Sequence, residues 1–180
     1  MTRQRAGASK AALIAVDGVD PVALLAEARA ALGPPARGGI STWDASGVFQ
    51  ELAVADQTAG APSARTLLLL YAADLAFRLR WQIRPALAEG RTVVAAPYVN
   101  TALAFGRAAG IKPAWLANLF KFAPRARRRR FVHAKAGRAA GVKGGFVGFS
   151  GDRMMTDGPK ARRRLLEQTA AELRRLERRD

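Results

Sequence analysis

The chain has 180 residues, 49% of them apolar, with 30 basic and 14 acidic side chains and a formal charge of +16. That length and apolar content suit one folded domain, burying roughly 70% of the unfolded surface, and exclude a disordered chain. It has no cysteine, which excludes disulfides, thiolate metal sites and redox chemistry on sulfur.

The charge is unevenly placed: residues 1–60 carry a net −1, residues 61–120 a net +5 and residues 121–180 a net +12. A basic third on a near-neutral body fits a surface that faces a polyanion. Heavy use of Arg and Ala throughout fits compositional bias equally well, with Arg on ordinary solvated faces. Residues 1–10 read as a flexible basic tail. The apolar run after it, Ala11–Val16, is too short for a signal peptide core. The apolar stretch Thr66–Phe77 is too short to span a bilayer and is interrupted by Asp74. The expectation is a cytoplasmic protein with no membrane association, a single domain over residues 1–180.

In chain order, Ala11–Val16 reads as a buried strand, apolar at every position. A tight Asp17-Gly18 turn follows. Asp20 is a good N-cap and Pro21 suits the first turn of a helix running to about Leu32, stopped by Gly33-Pro34-Pro35. Gly39–Trp43 reads as a short strand and Val48–Asp56 as a short helix. Gly60–Ser63 is a loop, with Ser63 as a cap. Ala64–Glu89 is the longest helical pattern, with Leu67, Leu70, Phe77 and Trp81 at helical spacing and a kink or break expected at Pro85. Thr92–Ala96 is a second buried strand. Helices follow over Thr101–Ala109 and Pro113–Phe122. Arg130–Ala134 is a weaker strand, residues 137–158 form a Gly-rich, lid-like loop, and Pro159–Arg179 is a final helix. Alternating strands and helices point to an α/β fold with a parallel sheet of four or five strands.

The stretch Leu13–Pro21 has the layout of a strand feeding a phosphate-binding loop. The chemistry of such a loop is missing. Reading on from Gly18, the second Gly falls on Ala23, the Lys on Leu24 and the Ser/Thr on Leu25. An active loop cradles phosphates with bare N–H groups, adds the Lys charge and holds Mg²⁺ through the hydroxyl. A helix N-terminus near Val22 still offers about half a positive charge, enough for weak anion binding.

Four segments, in order, resemble the thymidylate kinases, which phosphorylate dTMP with ATP and Mg²⁺. Leu13–Asp20 looks like that family's first strand and Glu-Gly-[Ile/Val]-Asp-Gly turn. Leu67–Asp74 is similar to its Leu-Leu-Leu-Phe-Ala-Ala-Asp-Arg helix. Ile83–Gly90 is similar to its Ile-x-Pro-Ala-Leu-x-x-Gly segment. Tyr98–Phe105, ahead of Trp115-Leu116, resembles its Asp-Arg-Tyr-Val…Ala-Tyr segment and the Trp-Leu helix after it. The match covers residues 11–122 well and 150–176 weakly. It implies a nucleoside-monophosphate-kinase-like parallel sheet flanked by helices and truncated at its C-terminal end. It also implies a homodimer through Leu67–Trp81, which equally read as internal core, and a nucleotide site at Gly18, Asp20, Tyr71, Tyr98 and Phe105. Tyr71 falls where the family stacks an aromatic on thymine; an ordinary core aromatic is the alternative, as a helix N-cap is for Asp20.

The departures fall on the chemistry. The family's Arg after Ala-Asp is Leu75 here, its Asp-Arg before the Tyr is Ala96-Pro97, and its aromatic-Gln is Phe105-Gly106. Phosphoryl transfer rests on positioning and charge neutralisation, so these losses together point to a pseudoenzyme with no catalytic residues, acting as a binding protein. Two alternatives stand beside it. One is a divergent kinase with ATP and Mg²⁺ as cofactors, using arginines near 125–138. The other is a nucleic-acid or polyanion binder through Arg125, Arg127, Arg128, Arg129 and Arg130, which equally read as a solvated connector. His133 is the only histidine, and no carboxylate pair near it suggests a metal site or a triad.

Overall fold

A computed structural model describes residues 11–33, 37–43, 63–133 and 159–180. The expected basic tail, the helix over 48–56 and the Gly-rich segment 137–158 lie outside these residues. Four strands form one parallel sheet: β1 (Leu13–Gly18), β2 (Gly38–Thr42), β3 (Thr92–Ala96) and β4 (Arg128–Val132), in the order β2-β3-β1-β4. Ile14 pairs with Val94 on one side and Arg128 on the other. The two strands apolar enough to be covered on both faces, β1 and β3, take the centre. The strands bearing Ser41, Thr42 and three consecutive arginines take the edges.

Strand alternation sorts the core into two layers. Ile14 and Val16 join Val94, Ala96, Leu24 and Ala28 beneath α1 (Pro21–Leu32). Leu13 and Ala15 face the larger cluster on the opposite side, which contains Leu67, Tyr71, Leu75, Phe105 and Leu116. That side is built by α2 (Ala64–Arg78), α3 (Arg84–Ala88), α4 (Val99–Ala108) and α5 (Pro113–Phe120). Helix α6 (Pro159–Glu177) packs mainly on α4. Among the described residues, no helix is long and apolar enough to cross a membrane.

Several boundaries differ from the sequence expectation. β1 runs on through Asp17 and Gly18, so no turn forms there, and both residues are buried. β4 starts two residues early, because its register is set by pairing with β1 rather than by its own propensity. α4 also starts two residues early, at Val99. At Pro85 the long helix does not break. A π-helical turn over Leu79–Ile83 joins α2 to α3, with the Arg84 N–H donating to Leu79 O. The wider turn carries the chain past a residue that has no N–H to donate. Ser63 caps α2 as expected, its hydroxyl accepting from Thr66 N at 3.1 Å.

Two glycines allow close approaches. A Cβ at Gly38 would lie 2.1 Å from Thr92 O across the β2–β3 pair. A Cβ at Gly106 would lie 2.5 Å from Leu116 Cδ2, so the missing side chain lets α5 pack onto α4. Gly38→Ala forces backbone apart at an edge strand, and should cost about 1–3 kcal/mol in urea unfolding. Gly106→Ala meets a flexible side chain instead and should cost less.

Candidate functional site

The carboxyl end of β1 is where a phosphate-binding loop would lie. Here β1 ends at Gly18 and α1 begins at Pro21, so only Val19 and Asp20 connect them. Every first-turn backbone donor of α1 is accounted for. Pro21 has none. Val22 N and Ala23 N donate to Asp20 Oδ1 at 3.0 and 3.1 Å. Leu24 N donates to Asp20 O at 2.8 Å. The helix N-terminus read from the sequence as a weak anion site is therefore filled by the protein's own carboxylate, and a second anion there would meet that charge. Leu24, at the Lys position of an active loop, is buried beneath the sheet.

Gly18 is equally committed. It pairs with Val132 of β4, and its N–H donates to Thr101 Oγ1 at 3.0 Å. A Cβ there would lie 3.0 Å from Val132 Cβ and 3.2 Å from Leu24 Cδ1.

Asp17, which sequence reasoning took as half of a turn, is the polar centre of this region. Its Oδ1 accepts from Tyr98 N (3.0 Å), Thr101 N (2.9 Å) and Thr101 Oγ1 (2.7 Å). It thereby supplies the N-terminus of α4 with the anion that the N-cap residue Tyr98 does not. Its Oδ2 is buried without a hydrogen bond. Burial pushes the carboxyl above its ordinary range, outweighing the hydrogen bonds from Thr101 and Tyr98. The signal in the sequence was a carboxylate inside an otherwise apolar run; its partners lie more than 80 residues away.

Tyr71, Tyr98 and Phe105 do come together, inside the larger core cluster. Tyr71 is fully buried, with Trp43 edge-on at 4.8 Å between centroids and Phe120 at 6.0 Å. Its hydroxyl lies 3.0 Å from Pro97 O and 2.9 Å from Tyr98 O, sharing one proton between them. Protein side chains therefore occupy the ring's surroundings, as the core-aromatic alternative has it. Beneath it lies Arg78, only 1% exposed, which the sequence reading missed. Its Nε donates to Asp74 Oδ2 at 2.6 Å, its guanidinium carbon lies 5.9 Å from the Tyr71 ring centroid, and its Nη2 is buried without a partner. An Arg spaced three residues after Leu75 and four after Asp74, on the apolar face of the helix, was the available clue.

The arginine run is divided by strand geometry. Arg128 and Arg130 share one face of β4, and Arg129 takes the other. Arg130 pairs with Glu27 of α1 at 2.6 Å, while Arg129 pairs with Asp180. Arg125, Arg127 and Arg128 are exposed. The five side chains therefore do not form one continuous clamp.

No protein-family model matches the chain, and no curated protein matches it by sequence. Among solved structures, it is similar to a thymidylate kinase from Ehrlichia chaffeensis, with a TM-score of 0.62 over 95% of this chain and 89% of that one, at 10% identity. The parallel β2-β3-β1-β4 sheet with helices on both faces is thus a nucleoside-monophosphate-kinase-like α/β fold. At that identity the likeness is one of fold.

Two measurements check the site. Asp20→Ala removes the cap and should cost about 1 kcal/mol in urea unfolding. For Asp17 the folded-state pKa lies above the unfolded one, so its contribution to stability is full below the unfolded value and is lost as pH rises through the folded value. Asp17→Asn keeps an acceptor for the Tyr98 and Thr101 donors but does not titrate. The stability of the native protein relative to Asp17→Asn should therefore fall as pH is raised from about 4. A gap that widens in the native protein's favour would contradict this.

Proposed function

We propose that this chain is a thymidylate-kinase-like scaffold that has lost phosphoryl transfer and works by binding another molecule. The observation that carries the reading is the two-residue passage from β1 to α1, whose amides are consumed by Asp20 and whose lysine position is a core leucine. Phosphoryl transfer needs those groups free and charged, and a single phosphate-neutralising group is worth several powers of ten in rate. Restoring the cradle requires unwinding the first turn of α1, not merely replacing side chains.

The assay is formation of dTDP from dTMP and ATP–Mg²⁺ by the purified chain. No turnover above background is expected. Turnover that Asp20→Ala abolishes would establish the divergent kinase instead. Nucleic acid that co-purifies and is released steeply by salt would support the polyanion reading, which draws on the exposed Arg125, Arg127 and Arg128.

The same reading includes a homodimer through α2, and the outward face of that helix supports it. Leu69, Phe77 and Trp81 are 52%, 58% and 62% exposed, with Ala73 and Ala76 exposed between them. Under a two-fold axis at the height of Leu75, Leu69 meets Trp81 and Ala73 meets Phe77, large side chain against smaller. Arg80 falls opposite Leu70, while Arg65 of one copy and Arg84 of the other come to adjacent heights at the two ends. Light scattering on a size-exclusion column should give twice the chain mass, and Phe77→Glu with Trp81→Glu should give a folded monomer. A monomeric native protein would remove the dimer from the proposal.

A further inference from the structure

A concavity of about 240 Å³ opens on the flank of α4, and its lining contains none of residues 17–24. Val99, Asn100 and Leu103 of α4, Phe120, the loop Ala123–Ala126 and Arg129 of β4 line it, with Tyr98 beside them. The volume falls below the roughly 300 Å³ at which pockets begin to enclose drug-sized ligands, so the space suits a compact molecule.

The pocket is tied in place from several directions. Tyr98 Oη donates to Pro124 O at 2.7 Å, fastening the loop to the start of α4. Arg127 N donates to Leu13 O at 2.9 Å and Ala123 N to Phe120 O at 3.0 Å, fixing both ends of the loop. Burial raises the Tyr98 phenol to about 12, so the first of these ties keeps its proton throughout the neutral range.

Among the described residues no acidic residue lines the pocket, while Arg125, Arg129, Asn100 and Tyr98 do. Arg129 is anchored by Asp180, which uses part of its five-donor fork. Arg125 is exposed and makes no ion pair among the described residues. At the start of α4, Tyr98 N and Thr101 N already donate to Asp17, so the guanidinium groups are the full positive charges on the lining.

We propose that this pocket binds a small organic carboxylate with a compact apolar body. The carboxylate lies against Arg125 and Arg129, with Asn100 beside them, and the body lies against Val99, Leu103, Phe120 and Ala123. The site does not depend on the fate of the β1–α1 turn, and its failure leaves the loss of phosphoryl transfer untouched.

Benzoate, phenylacetate and isovalerate serve as probes, with benzamide as the uncharged counterpart of benzoate, read by ligand-observed NMR and by thermal shift. At least one acid should bind saturably at one site, and benzamide should bind at least about tenfold more weakly than benzoate if benzoate is the acid bound. Arg125→Gln should weaken the bound acid by about tenfold, since a charge-assisted contact is lost from an exposed side chain. Leu103→Trp, which fills the pocket, should abolish binding; Ala123→Phe fills it from the loop if the first change disturbs α4. No saturable binding of any of the three acids would overturn the proposal. So would a bound acid whose affinity survives either filled pocket in a folded variant, or benzamide binding as tightly as benzoate.

Discussion

The carboxylate of Asp17 holds the central strand to the helix that crosses behind it. One oxygen gathers the Tyr98 and Thr101 amides and the Thr101 hydroxyl, and that hydroxyl accepts from Gly18 N. β1, the β3–α4 junction and the start of the passage to α1 are therefore fixed by one buried group. A buried carboxylate is costly without partners, and here one oxygen has three while the other has none. The arrangement is rigid because its alternatives leave more donors unpaired, including the first amides of α4.

Around this anchor, groups that could serve a ligand are engaged within the protein. Asp20 caps α1, Leu24 lies in the core, and Tyr71 is enclosed by Trp43 and Phe120. These features support one another. A carboxylate at the start of α1 repels an anion there, and Leu24 packed under the sheet goes with the short connection from β1. The buried Arg78, ion-paired with Asp74 and set near the Tyr71 ring, takes a place in that core rather than on a surface.

Much of the frame was legible because its punctuation is local. Asp20-Pro21, Gly33 and Ser63 mark helix ends by capping and by backbone freedom, and the structure uses each of them so. β1 and β3 announce themselves by uninterrupted apolar residues. The misread features depend on partners distant in sequence. Asp17-Gly18 resembled a turn because nothing nearby shows that Thr101 satisfies the carboxylate. β4 was placed two residues late because arginines argue against a strand until β1 fixes its register. Arg78 was missed as a core residue, since its helical spacing was the only local clue and its burial rests on Asp74 beside it and Ser41 on another element. The start of α1 was plain in the capping residues, but that the Asp20 carboxylate takes both Val22 N and Ala23 N was not.

The arginines of β4 have a consequence for the company this molecule keeps in concentrated solution. An outermost strand offers unpaired backbone groups to any similar edge, and two copies that met there would zip into a longer sheet. β4, an edge among the described residues, carries Arg128, Arg129 and Arg130 on its two faces, with Arg129 and Arg130 ion-paired to Asp180 and Glu27. The remaining positive charge opposes open-ended growth of the sheet at that edge, and that opposition should weaken as salt is added.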